Sequence, residues 1–158
     1  MRKIIVSVVV VLIGIAAVPQ NAQALGATNF YFRTGLMTGS GPDIPPLFWT
    51  VGGAFDFNLG PLFTVGPECD IVVYRFTLDP IWIAPAVMAN IRIDNVYFGV
   101  GAAKFILIGS GDTLTDKAML KLNAGIKSDT FKLQIYALSP FNHIFEDMII
   151  GLTLGIGL

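Results

Sequence analysis

Hydrophobic and polar residues alternate with a period of two along most of this chain. In the closing segment, residues 148–158, bulky apolar side chains such as Leu152 and Leu154 occupy one parity, and small residues such as Gly151 and Thr153 occupy the other. Successive side chains of a β-strand point to opposite faces, whereas a helix would need a period near 3.6. The pattern therefore predicts a strand with one bulky apolar face and one face of small residues.

The same alternation predicts seven further strands upstream. They cover residues 29–38, 47–58, 63–74, 81–93, 96–108, 118–128 and 130–138. Strands of about 9 to 13 residues suit a tilted crossing of a bilayer and exceed the five or six residues typical of soluble sheets. Pro67 and Pro85 fall inside two of these strands, where each removes a ladder donor, so we expect a bulge or a local break at both.

The connections between the predicted strands alternate in length. Residues 58–61, 94–95 and 128–129 form short turns, whereas the segments GSGPDIPP, GSGDTLTDK and SPFNHIFED on the other side are longer. The short segment TLDP is also interpreted as a loop on that side. An open sheet would leave backbone groups unpaired in lipid, so the strands must close on themselves. The prediction is an all-β, eight-stranded antiparallel up-and-down transmembrane β-barrel over residues 25–158, with both termini periplasmic and the longer loops outside.

The first 24 residues differ from the rest. Arg2 and Lys3 precede an apolar run at residues 4–18, and Ala22 and Ala24 complete a small-residue cleavage site. These three parts predict a cleaved signal peptide over residues 1–24. This segment holds two of the ten basic residues and none of the eleven acidic ones, so the remaining chain carries a net charge of −3. That charge gives no indication of nucleic-acid binding.

The composition is unusually apolar for a chain without a long apolar block. Hydrophobic residues make up 54% and charged residues 13%, against about a quarter charged in ordinary soluble domains. After the signal segment no continuous apolar stretch approaches the roughly 18 residues of a membrane helix. A soluble lipocalin-like barrel would need a polar outer face, but the bulky parity is almost free of charge, with Lys104 as the main exception. The single cysteine, Cys69, excludes an internal disulfide.

With its signal segment, alternating strands, turn and loop order and closing LTLGIGL, the chain resembles the small eight-stranded outer-membrane barrels, the OmpA transmembrane domain and the OmpX-like proteins. The resemblance covers the whole mature chain and is one of architecture. It implies an outer-membrane location, folding by the barrel-assembly machinery, contact with outer-membrane lipid and lipopolysaccharide, and no cofactor.

The two parities predict the two faces of the barrel. We expect lipid-facing side chains at Trp49, Val51, Phe55, Leu152 and Leu154. The inward parity carries a predicted polar network in the lumen, formed by Arg33, Asp56, Glu68, Asp70, Arg92, Lys121, Lys127 and Lys132. Charges in so narrow a lumen must pair, which favours a packed polar plug; a small ion-conducting pore is the alternative.

Candidate catalytic chemistry is sparse. His143 is the only histidine, and Ser139, Glu146 and Asp147 lie near it without the spacing of the lipid A-modifying barrel enzymes. One histidine and one distant cysteine offer no metal-ligand spacing. The sequence therefore predicts a non-enzymatic barrel with a structural or surface-interaction role, and a lipid A-modifying enzyme is a weaker alternative. No partner for the surface loops can be inferred.

Overall fold

A computed structural model describes residues 28–39, 47–74, 77–108, 118–128, 130–142, 144 and 148–157. The predicted signal peptide and His143 lie outside the described residues. Among the residues that are described, no helix is both long and apolar enough to cross a membrane.

Nine strand segments form one sheet. They are β1 (Thr28–Gly39), β2 (Phe48–Asn58), β3 (Phe63–Tyr74), β4 (Thr77–Ile93), β5 (Val96–Lys104), β6 (Ile106–Ile108), β7 (Ala118–Lys127), β8 (Phe131–Pro140) and β9 (Ile149–Gly157). Segments β5 and β6 both pair with β4 in one register and are separated only by Phe105. They are two parts of a single barrel strand, so the barrel has eight strands.

All ladders are antiparallel, and the sheet closes where β1 pairs with β9. Following paired residues once around the barrel returns to β1 ten positions further along. The path is Thr28, Phe57, Val65, Ala89, Val100, Leu122, Ala137, Ile150 and Thr38. This stagger tilts the strands against the barrel axis, as closure requires.

The predicted fold class is confirmed: the protein is an all-β, closed antiparallel barrel of eight strands. The bounds differ most at β4, which begins at Thr77, so the prediction that TLDP is a loop was wrong. β8 also runs to Pro140, two residues into the predicted loop SPFNHIFED. The tight turns lie at one end, which we call the turn end, and the opposite end is called the loop end. At the turn end Asp94 adopts a left-handed φ of 52° in the two-residue link from β4 to β5, and Gly60 has a φ of 115°.

The two interior prolines break ladders, as expected. Pairing of β2 with β3 stops between Ala54↔Glu68 and Phe57↔Val65, across from Pro67. Pairing of β4 with its partner strand stops between Ala86↔Ala103 and Ile83↔Ile106, at Pro85. The ladder between β3 and β4 is continuous past both prolines, and its one register shift lies at Val73 and Tyr74, near the loop end.

Candidate functional site: a charged lumen

Charged side chains fill the middle and the turn end of the lumen. Seven of the eight residues predicted for the lumen network are buried, each 2–4% exposed. They are Arg33, Asp56, Glu68, Asp70, Lys121, Lys127 and Lys132. They project inward because each strand presents alternate residues to the lumen, and the inward positions of β1, β2, β3, β7 and β8 carry the charges.

Glu68 lies at the centre of these contacts. Its Oε2 is 2.6 Å from Lys121 Nζ and 2.9 Å from Arg33 Nη1, and its Oε1 is 3.9 Å from Lys132 Nζ. Three cations from three other strands therefore converge on one carboxylate. A carboxylate out of water needs such partners, because burying it unpaired would cost several kcal/mol.

Arg33 extends the contacts towards the loop end. Its Nε donates to Asp70 Oδ1 at 2.7 Å and its Nη2 donates to Asp70 Oδ2 at 2.6 Å, a bidentate pair between β1 and β3. Gly52, the residue of β2 between Arg33 and Asp70 in the register, provides the room, since a Cβ there would collide with the Asp70 carboxylate and with the backbone of β3. The planar guanidinium fork is suited to this bidentate contact.

Asp56 extends the contacts towards the turn end. Lys127 Nζ lies 2.8 Å from Asp56 Oδ2, and Lys132 Nζ lies 3.0 Å from Asp56 Oδ1. Because Lys132 also faces Glu68, the contacts are continuous from Asp70 through Arg33, Glu68, Lys132 and Asp56 to Lys127, with Lys121 as a branch. We call these seven residues the lumen charge network. It contains four cations and three carboxylates.

Tyrosine rings lie beside the lysines of the network. Lys121 Nζ is 4.6 Å from the ring centroid of Tyr136, and Lys132 Nζ is 5.1 Å from that of Tyr97 and 5.7 Å from that of Tyr31. These distances fall within the range of cation–π attraction. The sequence interpretation did not include these tyrosines, although their inward parity next to predicted charges was a readable signal.

Neutral polar side chains complete this part of the lumen. The Tyr97 hydroxyl donates to Gln134 Oε1 at 3.0 Å, and Asn90 Nδ2 donates to Thr64 Oγ1 at 3.3 Å. All four residues are on the inward parity of their strands. Neutral hydrogen-bonding groups therefore lie in the same part of the lumen as the charges.

Arg92 was predicted to belong to the lumen network, and this prediction was wrong. Its side chain is half-buried, and its Nε donates to the backbone carbonyl of Asp94 at 2.6 Å. It lies on the inward parity of β4 but only two residues before the turn, so its guanidinium reaches the turn backbone at the mouth of the lumen. The structure does not bring it into contact with the carboxylates of the network.

The loop end of the lumen is apolar, which the sequence interpretation missed. A buried cluster fills it, and we call this the apolar cluster: Met37, Phe48, Val72, Ala86, Ala103, Phe105, Met119, Tyr136, Leu138 and Ile149, with Trp82 and Ala84 packed against it. The Phe48 and Trp82 ring centroids are 5.0 Å apart, and those of Trp82 and Phe105 are 6.5 Å apart. The available signal was the loss of alternation at the loop ends of the strands, where large apolar residues occupy both parities.

The outer face carries the side chains predicted to meet lipid. Trp49, Leu152 and Leu154 are 38%, 52% and 49% exposed, although all three are large and apolar. Val51 and Phe55 are half-buried on the same face. Exposed apolar side chains recur on this face of every barrel strand, which is unusual for a surface in water.

Other chemistry has little support in the described part of the chain. Ser139 is buried, but His143, Glu146 and Asp147 fall outside the described residues. Among those that are described, no group of three or more His, Cys, Asp or Glu side chains is placed to hold a metal ion.

No protein-family model matches this sequence, and no curated protein matches it. Solved structures do match its fold. A de novo designed transmembrane β-barrel is similar with a TM-score of 0.53 and 9% identity over 82% of this chain and 95% of that one. The N-terminal β-barrel domain of OprF from Pseudomonas aeruginosa is similar with a TM-score of 0.51 and 11% identity, over 82% of this chain and 97% of that one. The chain therefore has the fold of the small eight-stranded transmembrane β-barrels.

Proposed function

We propose that this protein is an integral outer-membrane β-barrel with a closed lumen and a non-enzymatic, structural or surface-interaction role in the cell envelope. The observation that supports the proposal is the set of buried side chains directed into the lumen from the described strands, with the lumen charge network in one part and the apolar cluster in the other. An eight-stranded barrel is only wide enough to be filled by side chains, and here buried side chains occupy it.

The membrane location rests on the outer face. Exposed apolar side chains occur on all eight barrel strands, and a closed antiparallel barrel leaves no unpaired edge in lipid. In bacteria, barrels of this kind that are exported by a secretory signal peptide lie in the outer membrane. The signal segment, the periplasmic termini and the use of the barrel-assembly machinery belong to the same proposal.

The membrane location can be tested on β9, where Leu152 points outward and Thr153 points inward. We expect Leu152→Arg to lower the free energy of unfolding from lipid vesicles by about 2–4 kcal/mol, because it places a charge against hydrocarbon. Leu152→Met is the matched control and should cost under about 1.5 kcal/mol. Equal stability of the Arg and Met variants would contradict a lipid-facing position.

The closed lumen can be tested by planar-bilayer recording of the wild-type barrel. A lumen filled by ion pairs and apolar side chains should give no steady conductance at neutral pH. The paired variant Phe48→Ala, Phe105→Ala shortens two large side chains of the apolar cluster and should raise the frequency of brief openings. A stable open channel in the wild type would instead favour the small-pore function.

The non-enzymatic role has its own test. Mass spectrometry of lipid A from cells with and without the gene should give the same acyl pattern. A changed pattern that His143→Ala abolishes would replace the structural role with that of a lipid A-modifying enzyme.

A further inference from the structure

The backbone ladder between β2 and β3 is interrupted beside the lumen charge network. Pairing stops after Ala54↔Glu68 and resumes only at Phe57↔Val65, across from Pro67. A proline has no N–H, so a bond that would join the two strands is missing there. In a bilayer no water is present to replace such a bond, which makes this stretch of wall weaker than an unbroken ladder. We call it the β2–β3 gap.

The two strands nevertheless lie against each other at the gap. Gly66 of β3 packs on the backbone of β2, where a Cβ would collide with the carbonyl oxygen of Phe55 and stand 3.3 Å from the Cα of Asp56. No register pair lies between the two ends of the gap. Side-chain contacts are therefore the remaining means of joining the strands at this level.

The lumen side of the gap carries one carboxylate from each strand. Asp56 lies within the gap on β2, and Glu68 borders it on β3. Lys132 reaches both from β8, across the lumen: its Nζ is 3.0 Å from Asp56 Oδ1 and 3.9 Å from Glu68 Oε1. One ammonium group is thus placed between carboxylates that belong to the two edges of the gap.

The neighbouring lysine provides a contrast. Lys127 and Lys132 are both 3% exposed, and both contact the Asp56 carboxylate. Within the described residues, Lys132 also faces Glu68 Oε1, an oxygen that accepts no hydrogen bond there, whereas the ion pair of Lys127 is with Asp56. The two lysines therefore differ in whether they reach across the gap, while their burial is the same.

We propose that Lys132 is a clasp that closes the β2–β3 gap from inside the barrel, by attracting carboxylates of both strands at once. Charges attract strongly where water is excluded, so the clasp acts at the level where backbone pairing is interrupted. Without it, Asp56 keeps Lys127 and Glu68 keeps its two other cations. Both carboxylates then stay paired while this link between their strands is lost. The consequence is a local opening of the wall at the gap.

Hydrogen–deuterium exchange of the full barrel in detergent micelles, followed by mass spectrometry of peptic fragments, tests the clasp. Lys132→Met should raise the exchange rate about tenfold or more in fragments from residues 53–58 and 63–69, and leave fragments of β9 unchanged. Lys127→Met is the matched control, because it removes an equally buried lysine from the same carboxylate, and it should exchange as the wild type does. An equal rise in both variants, a rise on every strand, or no rise would overturn the clasp.

A disulfide across the gap separates local opening from loss of the fold. Phe57 and Val65 are opposite each other on the outward parity, at the turn-end side of the gap. The spacing of opposite residues in an antiparallel ladder suits a disulfide. Phe57→Cys and Val65→Cys are introduced together with Cys69→Ala, which removes the native thiol. Lys132→Met is then added, and the chain is folded with the disulfide formed, so the test does not require that Lys132→Met folds alone.

The oxidised chain should exchange at the wild-type rate, and reduction of the disulfide should raise the rate in the fragments at the gap only. A heat-dependent shift in gel mobility checks that both forms are folded barrels. Rapid exchange at the gap in the oxidised form, or an unchanged rate on reduction, would overturn the clasp while leaving the barrel proposal intact.

Discussion

Towards the turn end of the lumen Asp56 holds two lysine ammonium groups within 3.0 Å, whereas at the loop end Phe48 packs on Trp82 with ring centroids 5.0 Å apart. Both regions are enclosed by the same eight strands, and β3 contributes Glu68 and Asp70 to one and Val72 to the other. The charged region depends on the number and position of its partners, because a buried charge without one is costly. The apolar region depends on volume, because its contacts have no direction. Different substitutions should therefore weaken each region.

The largest effect is expected where the charged region loses its centre. Glu68→Ala leaves Arg33, Lys121 and Lys132 facing one another without their shared carboxylate, and should lower the free energy of unfolding by about 3–5 kcal/mol. Urea titration in lipid vesicles measures it. Arg33 keeps Asp70 and Lys132 keeps Asp56 in this variant, whereas Lys121 loses its ion pair. Glu68→Ala combined with Lys121→Met should therefore cost less than Glu68→Ala alone. A double variant that is less stable than the single one would contradict the ion-pair account.

In the apolar region the loss of stability should instead depend on the side-chain volume that a substitution removes. Leu138 is 3% exposed within the apolar cluster, and Leu138→Ala should lower the free energy of unfolding by about 2–5 kcal/mol because it leaves a cavity. Leu138→Met keeps the volume and should cost less than about 1.5 kcal/mol. The same urea titration compares them. If both variants lose stability equally, packing does not determine this region.

Substitutions at the border between the two regions test whether the packing of one depends on the other. Tyr136 belongs to the apolar cluster and its ring also lies under Lys121; it fits only because Gly151 has no side chain, since a Cβ there would collide with the ring. Gly151→Ala should displace the ring and cost about 1–3 kcal/mol. Combining it with Tyr136→Leu should restore part of the loss. Near-ultraviolet circular dichroism reports the tyrosine environment in each variant, and an unchanged spectrum in Gly151→Ala would contradict the collision.

The smallest effect is expected at the turn end of the charged region. The lumen charge network has one cation more than it has carboxylates, and Asp56 still contacts Lys132 when Lys127 is removed. Lys127→Met also removes the desolvation cost of a buried ammonium, so it should change the free energy of unfolding by less than about 1 kcal/mol. The matched variant Asp56→Asn leaves two lysines without a carboxylate and should cost at least twice as much. Equal losses in the two variants would show that each ion pair contributes independently.

The sequence predicted the strands well because alternation is imposed on every residue of a wall with two different faces. Glu68, Arg33 and Asp70 could be assigned to the lumen from parity alone, and Pro67 and Pro85 to interrupted ladders from their missing N–H groups. The pairing among these residues could not be predicted in the same way. Which cation reaches Glu68 depends on the stagger of ten residues around the barrel, and that register is a property of the closed sheet rather than of any one strand.

Two parts of the site escaped prediction for a different reason. Parity separates the inward from the outward face but does not divide the lumen along its axis, so Phe105 and Met119 were not recognised as members of an apolar cluster. Arg92 has the inward parity but lies too near the turn to join the network. A difference of a few ångströms decides whether its side chain reaches the carboxylates. Both cases concern position along the barrel axis, which a period of two does not encode.

The closing ladder between β1 and β9 has a consequence for the order of folding. Every other ladder joins barrel strands that are neighbours along the chain, whereas this one joins the two ends of the described chain. Neighbouring strands can pair early as hairpins, but closing the circle must overcome the entropy of a long loop. The hydrogen bonds of the lumen charge network join residues 37 to 76 positions apart and meet across the interior. The network as a whole is therefore formed only when the barrel has closed. Their loss should speed unfolding far more than it slows folding, and the lumen charges then set how long a folded barrel lasts.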